Sequence, residues 1–207
     1  MISENEYRYI TYFSYQNKYV YFKLYKNASS SISRILLKKT RIEKSTYKNI
    51  VYGNSVEQMN PFLSDFQDLF KFVFVRNPWD RLVSLFFDKV SSKKRSMKKV
   101  DYYNQYKNQS FDSFLESIMD CDLQNCIPHH RLQTSLFPLD NVDHIGKIEN
   151  FKEDFDFVLK KLNITDYKIP FLNKSIHKNY RTYYNSYTRD LVNKNYEADI
   201  DKLKYTF

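Results

Sequence analysis

Between Lys71 and Val90 the hydrophobic period of the chain changes within three residues. Lys71-Phe72-Val73-Phe74-Val75-Arg76 is an unbroken apolar run between two basic residues, the pattern of a short strand buried on both faces. Asn77 then offers an N-cap and Pro78 fits the first helical position. Trp79, Leu82, Val83, Phe86, Phe87 and Val90 follow at helical spacing. A buried strand that runs straight into an amphipathic helix is the repeating unit of an α/β domain. Lys18–Tyr25, rich in β-branched and aromatic residues, reads as a second strand, followed by a short helix whose inner face carries Ile32, Ile35 and Leu36. His144–Ile148 reads as a third. Further helices are marked by Ser110 as cap with Phe111, Phe114, Leu115 and Ile118 inward, by Phe151, Phe155, Val158, Leu159 and Leu162, and by Tyr187, Leu191, Val192, Tyr196, Ile200 and Leu203. Residues 165–185 lack periodicity. The order predicts one domain over residues 1–207, with a mostly parallel sheet flanked by helices on both faces.

Apolar residues make up 42% of the 207, enough for a core and too many for a disordered chain. No run of 18 apolar residues occurs and the mean hydropathy is −0.66, so no membrane insertion is expected. Met1–Glu6 is polar and acidic, unlike a signal peptide, and a cytoplasmic setting follows as the expectation. Two cysteines, Cys121 and Cys126, make neither a disulfide scaffold nor a four-ligand zinc site. The formal charge is +9, which favours anionic partners. Residues 89–107, however, hold seven basic side chains against one acid, and such a segment reads equally as a mobile basic loop or as a binding face. With the charge concentrated there and no nucleic-acid-binding motif present, a nucleic-acid partner is not expected.

Ligands of open α/β sheets sit beyond the carboxyl ends of the strands. After the Lys18–Tyr25 strand comes Lys26-Asn27-Ala28-Ser29-Ser30-Ser31, a cation and a run of hydroxyls at the start of a helix, where backbone N–H groups and the helix dipole suit phosphate. The arrangement is P-loop-like but lacks the glycines of the nucleotide-triphosphatase signature. The plainer alternative is a basic turn followed by a serine N-cap. In the second segment, Arg76 should emerge at the same sheet rim as Lys26, and Ser84 lies two helical turns further on. Here the plainer alternative is an Arg–Asp surface pair of Arg76 or Arg81 with Asp80.

Taken together, Lys26–Ile32 and Arg76-Asn77-Pro78-Trp79-Asp80-Arg81-Leu82-Val83-Ser84 resemble the carbohydrate sulfotransferases of the Golgi type, which use 3′-phosphoadenosine 5′-phosphosulfate (PAPS). Family members read Pro-Lys-x-Ala/Gly-Ser/Thr-x-Ser/Thr and Val-Arg-Asn-Pro-x-x-Arg-x-x-Ser; Tyr25 stands here in place of the usual proline. The resemblance continues in Ile145-Gly146-Lys147-Ile148-Glu149, in Asp154, and in the tail from Tyr180-Arg181 to Phe207. It implies a three-layer, P-loop-like sulfotransferase fold and transfer of a sulfuryl group from PAPS to a carbohydrate hydroxyl, with no metal required. By the same resemblance, Lys26, Asn27, Ala28, Ser29, Ser30 and Ser31 hold the 5′-phosphosulfate, and Arg76 and Ser84 the 3′-phosphate. Lys26 would also stabilise the leaving oxygen.

The general base is open. No histidine lies between the two motifs, where the family often places one; the segment offers Glu57, Asp65 and Asp68. His129 and His130 in Pro128-His129-His130-Arg131-Leu132-Gln133 resemble a His-x-x-Gln element near the acceptor cleft of relatives, and His130 is the first choice of base, with Glu57 next. His129, Lys178 and Arg181 are candidate substrate contacts. A zinc site from Cys121, Cys126, His129 and His130 matches no familiar spacing. The alternative functions are a catalytically silent nucleotide- or glycan-binding protein on the same fold and, further off, a nucleic-acid-binding module.

Overall fold

The apolar run at Lys71–Arg76 becomes a strand paired on both sides within a five-stranded sheet. The computed structural model describes residues 9–40, 50–52, 67–91, 102–136, 139–165, 167–168 and 177–207. In chain order these form β1 (Tyr9–Ser14), β2 (Tyr19–Phe22), α1 (Ser29–Lys39), β3 (Ile50–Tyr52), β4 (Phe70–Val75) and α2 (Pro78–Leu85), which runs on as a π-helical turn. They continue with α3 (Phe111–Met119), α4 (Gln133–Leu136), β5 (His144–Lys147), α5 (Phe151–Lys161), α6 (Ser186–Asn195) and α7 (Glu197–Leu203). The chain divides into two compact units, one from residues 1–76 and 133–173, the other from 77–132 and 174–207.

The first unit holds a mixed sheet of order β3-β1-β2-β4-β5, in which β2, β4 and β5 are parallel and β1 is antiparallel to both of its neighbours. The parallel trio was legible in the sequence; the antiparallel strands β1 and β3 were not. Register places Tyr21 beside Phe72 and Phe72 beside His144. Side chains alternate across a strand, so Tyr19, Tyr21, Phe72 and Phe74 share one face. There they pack with Ile32, Ile35 and Leu36 of α1 and Phe155, Val158 and Leu159 of α5. Val20, Phe22, Val73 and Val75 point the other way and are buried too, as a two-faced parallel sheet requires. Rings dominate the α5 side: Tyr21 stacks on Phe72 at 5.1 Å, and Phe74 meets Phe151 and Phe155 edge-on at 5.5 and 5.8 Å.

Two residues of the Ile145–Asp154 motif have structural reasons. A Cβ on Gly146 would fall within 3.0 Å of the Phe74 ring, so β5 can lie against that ring only as glycine. Asp154, in the first turn of α5, accepts a hydrogen bond from Lys147 N at 2.6 Å and ties the end of β5 to the helix.

The second unit is helical. Asn77 caps α2, its side chain accepting from Trp79 N and Asp80 N at 3.0 and 3.4 Å, and Ser110 caps α3 through Ser113 N, both as the sequence predicts. Trp79, Leu82, Val83, Phe86, Phe114, Leu115, Ile118 and Val192 form its core. The helix expected from Tyr187 through Leu203 breaks in two at Tyr196, where φ is −110° and ψ 19°. The Tyr196 ring is wholly buried and its hydroxyl donates to His130 O, so tertiary contact overrides helical periodicity at that residue. Phe207 packs edge-on against Trp79, Tyr180 and Tyr184 at 5.5, 5.7 and 5.6 Å. Among the described residues, no helix is long and apolar enough to cross a membrane.

Candidate functional site

The loop from β2 to α1 is held in an uncommon backbone conformation. Lys26 has φ 67° and Ala28 φ 52°, left-handed values that cost a residue with a Cβ about 1–2 kcal/mol each. Such strain persists only where the surroundings over-determine it. Left-handed residues in a turn aim successive N–H groups to one side and make a concavity suited to an anion. Ala28 is the N-cap of α1, no side chain caps the helix, and its first turn carries no acid. The serine N-cap allowed by the sequence is therefore not what forms: Ala28 takes the N-cap position, at the positive end of the helix dipole.

A buried amide pair holds this loop against the end of β4. Asn27 is fully buried, and its Nδ2 donates to Phe74 O and to Gln133 Oε1, both at 2.8 Å. Gln133, also fully buried, accepts from Arg76 N at 3.0 Å and donates to Arg76 O at 2.9 Å. A glutamine amide thus takes the place of a neighbouring strand one residue past the end of β4. Arg76 Nη1 donates to Lys26 O at 3.1 Å, which puts Arg76 at the Lys26 rim as predicted. Asn27 Oδ1 is a buried acceptor without a hydrogen-bond partner among the described residues. Of the hydroxyls, Ser29 is half-buried, Ser30 exposed and Ser31 buried. Ser84 belongs to the second unit, buried on α2.

In the second unit the loop after α3 gathers Cys121, Cys126 and His130. His130 is fully buried; its Nδ1 meets Tyr103 Oη at 2.7 Å and its Nε2 meets Cys121 Sγ at 3.4 Å. Hydrogen bonds from Cys126 and from His130 lower the Cys121 thiol to about 5 against the effect of burial, while Cys126 is pushed up. Both ring nitrogens of His130, the first choice of base, thus lie against protein side chains. His129 is half-buried, edge-on to Tyr103 at 5.9 Å. Lys178 and Arg181 are exposed, the latter over the rings of Tyr180 and Phe207 at 5.2 and 5.8 Å. Asp68 is exposed, and Glu57 and Asp65 lie outside the described residues.

A model of the family described as the sulfotransferase family matches residues 9–206, running across both units. The chain belongs to the sulfotransferase family. No curated protein and no solved structure matches it.

In this sulfotransferase the Lys26 loop and Arg76, 50 residues apart in sequence, are brought together as their resemblance to family motifs implied. The residue that joins them, Gln133, was visible only as the last letter of the His-x-x-Gln element, and its neighbourhood suggested acceptor contacts rather than a clamp. Arg81 was also misread by its plainer alternative. It is 1% exposed and donates to Arg131 O at 2.7 Å and Pro128 O at 3.0 Å, so it is scaffolding rather than surface. A buried arginine that bonds backbone carbonyls leaves no periodic signal in a sequence.

Proposed function

We propose that this sulfotransferase is an enzyme that uses PAPS as donor and transfers its sulfuryl group to a hydroxyl of a carbohydrate acceptor. The observation that carries the reading is the Asn27–Gln133–Arg76 clamp, which holds two cationic segments at one sheet rim. A donor with phosphate at both ends needs two anion sites, and the residues fit that need. The strained Lys26–Ala28 turn and the uncapped α1 suit the 5′ end, with Ser29, Ser30 and Ser31 as hydroxyl donors. Arg76 suits the 3′-phosphate, to which the family motif alone also assigns Ser84. Asn27, whose Nδ2 is committed to Phe74 O and Gln133, shapes the loop from within. When bound, PAPS supplies an activated sulfuryl group.

The chain's own contribution is positioning and charge. The Lys26 ammonium offsets negative charge as it grows on the departing oxygen, an electrostatic role that needs no covalent step. With both nitrogens of His130 engaged, the acceptor proton falls to Glu57, the other base candidate. His129, Lys178 and Arg181 are assigned to the acceptor.

The test separates binding from turnover. Adenosine 3′,5′-bisphosphate should bind tightly and adenosine 5′-phosphosulfate, lacking the 3′-phosphate, weakly. Arg76→Ala should reduce bisphosphate affinity by about 1.5–3 kcal/mol, the scale of a hydrogen bond to a charged group. Glu57→Gln should keep that affinity and lose turnover with labelled PAPS and a panel of glycans. Equal calorimetric affinities with and without the 3′-phosphate would overturn the assignment of Arg76 and Ser84. Tight binding with no turnover on any acceptor would mark a silent nucleotide-binding relative.

A further inference from the structure

We propose that Cys121, Cys126 and His130 form a binding site for a thiophilic divalent cation, zinc by chemistry, that staples the loop after α3. These three make the one cluster of metal-ligating side chains among the described residues, with donor atoms all within 4.8 Å of one another. Tetrahedral zinc with sulfur at ~2.3 Å and nitrogen at ~2.0–2.1 Å sets donor–donor edges of about 3.5–3.8 Å. The Cys121 Sγ to His130 Nε2 distance is 3.4 Å, so the pair already spans one such edge within about 0.2 Å. The order is cysteine, four residues, cysteine, three residues, histidine, compact enough for one loop to supply all three ligands.

The surroundings fix these ligands in the way metal sites require. A metal-bound histidine ordinarily donates its other ring N–H to a neighbouring group, which sets the tautomer and aims the lone pair. Tyr103 Oη, 2.7 Å from His130 Nδ1, is placed to accept that proton and leave Nε2 for the metal. Tyr196 holds His130 O. Arg131 donates to Cys126 O at 2.6 Å and Asn125 O at 2.8 Å, and Arg81 pins Pro128 O and Arg131 O. Asp122 closes the intervening turn through Gln124 N and Asn125 Nδ2 at 2.9 and 2.7 Å. The loop is therefore organised before any ion arrives. Two thiolates and a dication sum to zero charge, which suits a half-buried site; the two thiol protons leave to solvent on binding. Solvent completes the fourth position.

The test uses the tag-free 207-residue chain, reduced, with both thiols first confirmed by titration. Added cobalt(II) should give near-ultraviolet sulfur-to-metal charge transfer and intense visible bands of tetrahedral cobalt, saturating at one ion per chain, and zinc should displace it. Cys121→Ser and Cys126→Ser should each abolish the charge-transfer band or shift it with loss of intensity. Tyr103→Phe, which keeps the ring and removes the hydroxyl, should weaken zinc by about 10–100-fold, as expected for loss of a group that orients a ligand. A reduced chain that takes up no cobalt overturns the proposal without any variant having to fold. So does uptake with only weak octahedral bands, or uptake that both serine variants retain.

Discussion

Two regions of this protein hold polar side chains in the interior, and they do it in opposite ways. At the β2–α1 loop, neutral amides position charged groups: Asn27 and Gln133 carry the hydrogen bonds, and the backbone of Lys26 and Ala28 absorbs the strain. In the loop after α3, charged groups position neutral and soft ones: the buried guanidiniums of Arg81 and Arg131 hold four carbonyls, and cysteines and a histidine converge between them. The contrast teaches that a basic residue in this chain is not by that fact an anion site. Arg76 and Arg81 stand in one motif, yet the first reaches the Lys26 loop and the second braces a turn.

Variants can break or sharpen that contrast. The largest effect is expected from Lys26→Ala, which should lower kcat by about 10²–10³, the scale for one preorganised electrostatic donor, while the affinity for adenosine 3′,5′-bisphosphate falls less. A variant that loses affinity but keeps kcat would reduce Lys26 to a binding residue. Arg131→Met keeps the length of the side chain and removes its two bonds to Cys126 O and Asn125 O. A loss of about 2–3 kcal/mol in urea unfolding is expected. Arg131→Lys should recover little, because an ammonium lacks the planar fork. If Lys restores full stability, charge rather than geometry organises that loop.

Gln133→Leu is the matching change in the amide region. It leaves Arg76 N and O without their buried partner, a destabilisation of about 1–3 kcal/mol. Bisphosphate affinity should drop with it, since Arg76 and Asn27 lose their common anchor; unchanged affinity would show that Gln133 serves folding alone. The smallest effect is expected at Ala28. Glycine relieves ~1–2 kcal/mol of left-handed strain and gives back ~0.5–1 kcal/mol of chain entropy. Ala28→Gly should therefore raise Tm by about 1–4 °C. A fall in Tm would show that the loop is not strained as its φ of 52° implies.

Local pattern made several elements legible. The run at Phe72–Val75 read as a buried strand and Asn77-Pro78 as a helix start, because an apolar run and a capping side chain act over a few residues. The caps at Asn77 and Ser110, the stripe of α5 and the parallel trio β2, β4 and β5 follow from such signals. The motifs at Lys26 and Arg76 carried the family in the same way.

What sequence could not decide is where partners are far apart along the chain. Strand β1 pairs antiparallel with both β2 and β3, a long-range match that strands of six and three residues do not advertise. The break at Tyr196 is set by the carbonyl of His130, 66 residues away. His130 itself read as a base because histidine is the usual proton acceptor near neutral pH; only the fold shows its ring locked between Tyr103 and Cys121. Sequence alone determined the three parallel strands, most of the helices, the cationic loop and the family, since those rest on local periodicity and short motifs. The tertiary structure decided which polar residues meet, because a buried hydrogen bond joins groups by position in space and is indifferent to their separation in the chain.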